Sequence, residues 1–314
     1  MTKARLITTV TLNAAIDKTY YLPAFERDKV SRVGKMHAFP GGKGLNVARV
    51  VRQLGENVVA TGYVGGFNGE FIKKELDKQG IRHDFVTVEG ESRLCLNIID
   101  ESRRTSTELL EPGPDITADQ VEEMKRKVKQ LAANSSIVAF SGSIPKGVPA
   151  TIYADLVAIA KAEGAKVFLD TSGDPLLQAL AAKPHFIKPN EQEIEVILGK
   201  KPERESDLHE TVRRLMAQGI DCVVVSLGAA GSLAGIGGAL YRIAAPKLEP
   251  VNTVGCGDAF VAGMAVATLR GQSAEECLKL ATAAGSANAL TEQAGSVRLS
   301  DVERFLQQIV AQRL

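Results

Sequence analysis

The chain has 314 residues, of which 45% are hydrophobic, and a formal net charge of +1 at pH 7 from 38 basic and 37 acidic side chains. A chain with so little net charge lacks the strong basic character that is typical of proteins binding DNA or membranes, so we expect neither partner. The apolar stretch that begins at Ala259 stops at Arg270, which is too short to span a bilayer. The length predicts one domain over residues 1–314.

Cysteine and N-terminal patterns bear on metal binding and location. The four cysteines and four histidines are scattered, with no Cys-x-x-Cys pair, so we expect no zinc site. Unpaired thiols of this kind are typical of a reducing compartment, which predicts a cytoplasmic protein. Residues 1–17 hold only a short apolar run broken by threonines, so we expect no signal peptide.

In chain order, the first third of the sequence contains short strand-like runs that are partly hairpin-like. We expect them to form a small sheet outside the main layer, with strands drawn from about residues 8–40 and 90–112. Because these pieces come from separated segments, the small sheet would be a lid on one domain. The predicted strands are Leu6–Thr11, Thr19–Leu22, Ser31–Ala38, Leu94–Asp100 and Ser106–Leu110.

From residue 137 onwards, β-rich runs alternate with amphipathic helical runs. This alternation predicts βαβ units in an α/β fold, with a parallel sheet covered by helices on both faces. In such folds ligands bind beyond the carboxyl ends of the strands. The predicted strands span residues 137–142, 166–173, 185–190 and 222–228, and the predicted helices are Thr151–Glu163, Glu191–Leu198 and Asp207–Gln218.

The segment TVGCGDAF, residues 253–260, predicts a turn into the N-terminus of a helix. Gly255 and Gly257, which flank Cys256, let the backbone bend so that several N–H groups point towards one anion. Asp258 would lie in the first turn, where the helix dipole favours its ionised form. The pattern suits phosphoryl transfer with Asp258 as the proton acceptor, although a plain acidic helix start has the same composition.

Two further glycine-rich segments are candidates for ligand binding. In PGGKGLNVARVVRQLG, residues 40–55, Gly41 and Gly42 precede Lys43, and a helix is predicted from near Leu45 to Gly55. The segment VSLGAAGSL, residues 225–233, predicts a strand followed by a glycine-rich turn. Ordinary turns would explain both segments equally well.

The segment IKPNEQE, residues 187–193, places Asn190 and Glu193 three residues apart at a predicted helix start. Both side chains could hold waters of a hydrated Mg²⁺, an ion that keeps part of its water shell in proteins. Taken alone, the pair is more typical of a capping box, in which each side chain bonds the other residue's backbone N–H.

Other nucleotide-binding motifs are missing. No G-x-G-x-x-G follows the first predicted strand, and Phe260 stands where a third glycine would follow Gly255 and Gly257. Gly142 and Gly147 have the spacing of a Walker A loop, but Val148 and Pro149 occupy the positions of its Lys and Ser or Thr.

Taken together and in this order, the segments TVGCGDAF, PGGKGLNVAR and IKPNEQE resemble the ribokinase-like PfkB family of sugar kinases. The resemblance covers nearly the whole chain, and Cys256 stands where the family usually has Ala. It implies a three-layer α/β/α core with a mostly parallel sheet and a small β-sheet lid that often forms a dimer interface. We therefore expect an ATP- and Mg²⁺-dependent kinase that forms a homodimer through its lid.

The resemblance also implies roles for individual residues. Asp258 would be the base, with the backbone of Gly255, Cys256 and Gly257 around the transferred group. On the sugar side, Lys43 and Arg93 would bind an existing phosphate, Asp17 and Asn46 would orient hydroxyls, and Gly41, Gly42 and Ser141 would lie nearby. The nucleotide residues would be Lys188, Asn190, Glu193, Ser226, Gly228, Gly231, Gly285 and Asn288, with Asn190 and Glu193 also holding Mg²⁺ through water.

The opening TLNAAID resembles the phosphosugar kinases within the family, although Ala14 and Ala15 depart from its pattern. This branch phosphorylates ketohexose monophosphates to 1,6-bisphosphates. Cys95 and Glu108 favour tagatose 6-phosphate as the substrate, ahead of fructose 1-phosphate and then fructose 6-phosphate. Two other hypotheses are a sugar-phosphate-binding regulator without catalysis and a nicotinamide dehydrogenase. The Asp258 and Asn-x-x-Glu motifs oppose the first, and the missing fingerprint opposes the second.

Overall fold

The computed structural model describes residues 5–314, which contain fifteen strands and ten α-helices. The predicted single domain and the predicted absence of a signal peptide also involve residues 1–4, which lie outside the described residues. The strands are β1 (Ile7–Thr11), β2 (Ala15–Leu22), β3 (Lys35–Gly41), β4 (Val58–Gly65), β5 (Arg82–His83), β6 (Val86–Val88), β7 (Arg93–Asp100), β8 (Thr105–Leu110), β9 (Ile137–Ser141), β10 (Lys166–Asp170), β11 (Phe186–Ile187), β12 (Cys222–Ser226), β13 (Ser232–Ile236), β14 (Ala239–Ile243) and β15 (Ala311–Arg313). The helices are α1 (Lys43–Gln53), α2 (Gly66–Lys78), α3 (Ala118–Asn134), α4 (Ile152–Ala162), α5 (Gly173–Leu180), α6 (Glu191–Leu198), α7 (Glu205–Ala217), α8 (Cys256–Arg270), α9 (Ala274–Asn288) and α10 (Leu299–Leu306).

A central sheet runs through the molecule in the order β15-β14-β13-β12-β11-β10-β9-β1-β4-β5, with β6 also paired to β4. The strands from β4 to β12 along this order are parallel, and β13, β14 and β15 extend the sheet in antiparallel fashion. Strands β1, β4 and β9 are buried along their whole length, as expected of a parallel sheet covered on both faces. The α/β fold class is therefore confirmed.

The first predicted strand does not belong to the small sheet. Leu6–Thr11 was expected there with its neighbours, but β1 lies between β4 and β9 in the central sheet. Every residue of β1 is buried, because its two faces are both covered by the core. The lid therefore begins at Ala15 rather than near residue 8.

The lid is a four-stranded sheet with the order β3-β2-β7-β8. Strand β2 pairs in parallel with β7, which places Asp17 opposite Cys95, and antiparallel with β3, which places Ala15 opposite Gly41. Strand β8 covers the far edge and is exposed along its whole length. The base of this sheet therefore brings Asp17, Gly41 and Arg93 to the carboxyl end of the central sheet.

Helices pack against both faces of the central sheet and form two hydrophobic clusters. One cluster joins α1, α8 and α9 to the sheet, and the other joins α3, α4 and α7 to it. Gly263 lies where α8 crosses α9, and a Cβ at this position would come within 2.8 Å of the Ala281 Cα. Gly263 therefore permits close helix packing that offsets its poor helix propensity.

The helices predicted in the second half of the chain are confirmed within two residues at each end. Helix α1 begins at Lys43, two residues before the predicted start near Leu45, because Gly42 already accepts the first helical hydrogen bonds. None of the helices in residues 5–314 combines the length and apolar character needed to cross a membrane.

Candidate active site

The start of α8 forms the centre of the candidate site. Gly255 precedes the helix at φ 83°, and a Cβ there would collide with the backbone N of Gly295, so the turn requires glycine. The backbone N–H of Cys256 reaches Thr253 O at 3.4 Å, and that of Ala259 bonds Gly255 O. The next two N–H groups, on Gly257 and Asp258, point out of the first turn, where an anion would be stabilised.

Asp258 is buried in this first turn, with 6% of its surface exposed. The Asn46 side chain donates a hydrogen bond from Nδ2 to Asp258 Oδ2 at 2.8 Å. Burial and the nearby Asp170 carboxylate raise the pKa of Asp258 to about 6, while Lys43 and the Asn46 hydrogen bond oppose the rise. Asp258 is therefore mainly ionised at neutral pH and sits close to the range that suits a general base.

Two lysines flank a second buried carboxylate, Asp170, at the end of β10. Lys43 Nζ lies 3.4 Å from Asp170 Oδ2, and Lys188 Nζ lies 3.4 Å from Asp170 Oδ1. Burial disfavours ionisation of Asp170, but the two lysines outweigh it and hold its pKa below the usual value. Asp170 raises the pKa of Lys43 in turn. The site thus holds two fixed positive charges beside Asp258, which suits binding of phosphate groups.

Two cavities meet at this centre. The first, of about 590 Å³, lies between the lid and the core. The second, of about 550 Å³, lies between the β12–β13 hairpin, the loop after β14 and the start of α8. Lys188, Ser226 and Gly257 line both cavities, so the α8 N-terminus stands at their junction.

The lid wall of the first cavity carries charged groups. Arg93 Nε donates to Asn13 O and its Nη1 donates to Glu111 O, both at 3.3 Å, which holds the guanidinium at the base of the lid. Burial raises the pKa of Asp17, which faces the same cavity, although Arg49 and Arg93 oppose this. The first cavity therefore offers cations and a carboxylate to a polar ligand.

A model of the pfkB family of carbohydrate kinases matches residues 10–300. The chain belongs to the pfkB family. The expected membership is thereby confirmed, and the protein is an ATP-dependent sugar phosphotransferase. Tagatose-6-phosphate kinase of Staphylococcus epidermidis is 37% identical to this kinase over 307 residues, which cover 97% of this chain and 98% of that protein.

Two solved structures show the same architecture. A possible 1-phosphofructokinase of Thermotoga maritima is 30% identical, with a TM-score of 0.89, and the match covers 98% of this kinase and 99% of that chain. Phosphofructokinase-2 of Escherichia coli in complex with fructose-6-phosphate is 26% identical, also with a TM-score of 0.89, and the match covers 96% of this kinase and 98% of that chain. The fold of this kinase is therefore that of the phosphofructokinase-like members of the family.

Most residues that the sequence predicted for the site border one of the two cavities. Those on the first cavity are Asp17, Gly42, Lys43, Asn46, Arg93, Ser141, Asn190, Gly255 and Asp258. Those on the second are Gly228, Gly231, Cys256 and Gly285, and three more lie on both, Lys188, Ser226 and Gly257. Gly228 and Gly231 lie in the tight connection of the β12–β13 hairpin, so the strand and glycine-rich turn predicted for residues 225–233 are confirmed.

Three predicted residues line neither cavity. Gly41 packs behind the Asp17 carboxylate, with which a Cβ would collide, so a side chain at this position would displace Asp17. Asn288, expected beside the adenine, is instead fully buried and donates from Nδ2 to Val254 O at 2.9 Å. Its Oδ1 accepts from the Ser296 backbone N–H, so Asn288 braces the turn before α8.

Glu193 is the third such residue, and it forms a capping box with Asn190 at the start of α6. Asn190 Oδ1 accepts from the Glu193 N–H and Glu193 Oε2 accepts from the Asn190 N–H, both at 2.9 Å. Burial raises the pKa of Glu193. The capping-box interpretation is confirmed, and only Asn190 of the pair borders a cavity.

Asp170 is the principal site residue that the sequence analysis missed. The available signal was its position, since it is the polar last residue of a buried strand at the carboxyl edge of the sheet. The apolar wall of the second cavity was missed as well, because the loop at 244–250 carries no motif. This loop contributes Pro246, Leu248 and Pro250 to the wall of the second cavity, and Phe260 of α8 completes it.

Proposed function

We propose that this kinase transfers the γ-phosphoryl group of ATP to a hydroxyl of a ketohexose monophosphate, giving a 1,6-bisphosphate. The observation that carries the proposal is that Asp258 lines the first cavity directly after Gly257, which lines both cavities at the α8 N-terminus. One cavity would hold the sugar and the other the nucleotide. The acceptor hydroxyl and the γ-phosphoryl group would then meet at Asp258.

The polarity of the first cavity supports a phosphosugar as its ligand. The buried side-chain oxygens Thr11 Oγ1, Asn13 Oδ1 and Ser141 Oγ border it without a hydrogen bond among the described residues. Buried polar atoms are normally bonded, so a ligand rich in hydroxyls would satisfy them. Lys43 and Arg93 supply positive charge for the phosphate that the sugar already carries.

The second cavity suits ATP. Its apolar wall, formed by Pro246, Leu248 and Phe260, would pack against the adenine, and Gly228 and Gly231 leave room for the backbone to approach the nucleotide. The phosphates would extend towards Lys188 and the α8 N-terminus at the junction. The attraction between these phosphates and the positive groups at the junction is strong where water is excluded.

The residues near Lys188 fit a magnesium ion that travels with the nucleotide. Within residues 5–314 no cluster of three His, Cys, Asp or Glu side chains could hold a metal alone. Asn190 offers one side chain to the cavity, and Glu193 lies behind it. Such a sparse donor set suits Mg²⁺, which binds mainly to phosphate oxygens and water and would neutralise charge on the transferred group.

In the proposed mechanism the chain's own residues position the reacting groups and neutralise the charge of the transferred group. Asp258 accepts the proton of the acceptor hydroxyl as that oxygen bonds to the γ-phosphorus and the bond to the ADP oxygen breaks. The Gly257 and Asp258 N–H groups and Lys188 hold the negative charge of the transferred group. The products are the bisphosphate, ADP and a proton.

Tagatose 6-phosphate is the substrate we favour. The Staphylococcus epidermidis relative is named for that substrate, and Cys95 and Glu108, whose identities favour it, line the first cavity. Fructose 1-phosphate ranks second and fructose 6-phosphate third. Because one anion pocket can serve all three, discrimination rests on a few contacts to hydroxyls.

The test compares kcat/KM for the three sugar phosphates with ATP, and the rates are measured by coupled ADP release. We expect turnover of more than one sugar, with tagatose 6-phosphate ahead. A preference of about 10³-fold or more for fructose 1-phosphate would reverse the ranking. Absence of turnover with every phosphorylated sugar would contradict the proposed function itself.

A further inference from the structure

A buried arginine stands behind the catalytic centre. Arg49 lies in α1 with 3% of its surface exposed, and no carboxylate in residues 5–314 forms an ion pair with it. Burial lowers the pKa of Arg49 to about 10, while Asp17 and Asp258 oppose the shift. A buried cation is costly unless its N–H groups are bonded to acceptors. The acceptors of the Arg49 guanidinium therefore show which parts of the structure this residue holds in place.

The guanidinium joins three segments around the first cavity. Nη1 donates to Asn46 Oδ1 and to Ala294 O, both at 2.9 Å, and Nη2 donates to Pro40 O. Pro40 belongs to the lid edge strand β3, and Ala294 belongs to the loop after α9. Pro40, Asn46 and Ala294 all line the cavity.

The bond to Asn46 determines which way the Asn46 amide faces. An amide side chain has an oxygen that only accepts and a nitrogen that only donates. Since Arg49 donates to Oδ1, Nδ2 is left to donate to Asp258 Oδ2 at 2.8 Å. The reversed amide would place an oxygen against the carboxylate and an NH₂ group against the guanidinium, and both contacts would be repulsive.

We propose that Arg49 is a positioning residue for phosphoryl transfer: it orients the Asn46 amide so that Asn46 holds Asp258 by Oδ2 and leaves Oδ1 to accept the proton of the acceptor hydroxyl. This inference rests on the proposed role of Asp258 as the base. Arg49 reaches Asp258 through Asn46, while its bonds to Pro40 O, Ala294 O and Gln79 Oε1 tie α1 to the neighbouring segments. Its removal therefore affects the reaction step more than substrate binding.

The charged surroundings predict a pH signature. The bond from Asn46 stabilises the ionised form of Asp258, so its loss would raise the pKa of that carboxyl further. On acidification the activity would then begin to fall at a higher pH than in the intact kinase, because only the ionised carboxylate is active. The other charged groups that face Asp258 or Arg49 stay in place in the variants below, and they are Asp17 of β2, Lys43 of α1, Asp170 of β10 and Lys188 after β11.

The test compares Arg49→Met, Asn46→Leu and the double variant with the intact kinase. Arg49→Met should lower kcat by about 10²-fold, with KM for the phosphosugar changed by less than about threefold. The acidic limb of its kcat–pH profile should move up by about one unit. Arg52→Met is the matched control, since Arg52 is exposed one turn further along α1, and it should behave as the intact kinase.

The double variant shows whether Arg49 acts through Asn46. If it does, the double variant should be no slower than Asn46→Leu by more than about twofold. Both Arg49→Met and the double variant leave the Pro40 and Ala294 oxygens without their donor, so rates are compared at the folded fraction measured by urea unfolding. Arg49→Lys, which keeps a charged donor, replaces Arg49→Met if that variant does not fold. A double variant slower by the product of the single effects, or an unmoved acidic limb in Arg49→Met, overturns the inference.

Asp258→Asn separates this inference from the proposed function. If folded Asp258→Asn turns over normally, Asp258 is not the base, and both the proposed mechanism and the inference about Arg49 are overturned. Strong loss in Asp258→Asn combined with normal kcat in Arg49→Met overturns the inference alone.

Discussion

The Asn46 amide donates a 2.8 Å hydrogen bond to Asp258, although 212 positions separate the two residues in the chain. Asn46 belongs to the glycine-rich segment that begins α1, and Asp258 belongs to the one that begins α8. Each segment alone is compatible with an ordinary turn. Their direct contact makes them parts of one site, and the predictions below follow from it.

Replacing Asp258 tests the base directly. Asp258→Asn keeps the shape and the contact with Asn46 but removes the proton acceptor, so kcat should fall by about 10²–10⁴-fold. Binding of ATP and of the phosphosugar should persist, as measured by calorimetry, while coupled ADP release gives kcat. Near-normal turnover by the folded variant would show that another group accepts the proton.

The pH dependence of kcat/KM should report the same carboxylate in the ligand-free kinase. The pKa of Asp258 is raised to about 6, and the ionised form is active, so kcat/KM should fall as the pH drops through about 6. Initial rates measured between pH 5 and pH 8 with the phosphosugar well below its KM check this, with the coupling enzymes assayed separately as a control. A flat profile down to pH 5 would contradict the assignment.

Stability should move in the opposite sense to activity. The folded-state pKa of Asp258 lies above the ordinary value of 3.8, so its favourable contribution is present below about pH 3.8 and is lost as the pH rises through about 6. Asp258→Asn mimics the protonated form and should be more stable at pH 7.5, by up to about 3 kcal/mol. Urea unfolding at pH 7.5 and pH 5 measures the difference, which should shrink at pH 5. A variant less stable than the intact kinase at pH 7.5 would show that the lysines outweigh burial.

Arg93 should act on sugar binding. Arg93→Ala removes a charge-assisted contact worth roughly 1.5–3 kcal/mol, so KM for the phosphosugar should rise by about 10–150-fold while kcat changes little. Steady-state kinetics with each substrate varied in turn separate the two effects. Arg82→Ala, on the exposed strand β5, is the control. A rise in KM for ATP alone would place Arg93 in the nucleotide site.

The lid should mediate a homodimer. Leu109 of β8 pairs with Leu96 of β7, and Leu109 is absent from the lining of the first cavity, so it lies on the outer side of the lid. Leu109 is 54% exposed, and a small sheet with such a face is poorly stable by itself. Light scattering at micromolar concentration should therefore give a dimer.

A charge on this outer face should weaken the dimer. Leu109→Glu should shift the kinase towards the monomer, whereas Leu299→Glu, at a similarly exposed position in α10, should leave the dimer intact. A monomer for the unmodified kinase would argue against a lid interface.

The local sequence was sufficient to predict the α/β class and the glycine-rich segments, and the reasons are local. Buried parallel strands form continuous apolar runs, and the left-handed backbone at Gly255, with φ 83°, favours glycine at the turn into the helix. The same logic located Asn190 and Glu193 at a helix start, where the capping box depends only on residues three apart. The placement of Asp258 in the first turn of α8 followed in the same way.

Tertiary structure alone decided which of these pieces act together. Asp170 bridges Lys43 and Lys188 because the ends of β10 and β11 meet the start of α1, and no pattern around position 170 records that meeting. Strand β1 joined the core instead of the lid because β4 and β9 cover both its edges. Asn288 turned inwards because its amide satisfies backbone groups on two loops. Each outcome depends on distances between residues far apart in the chain, which packing of the whole fold sets and local propensity does not.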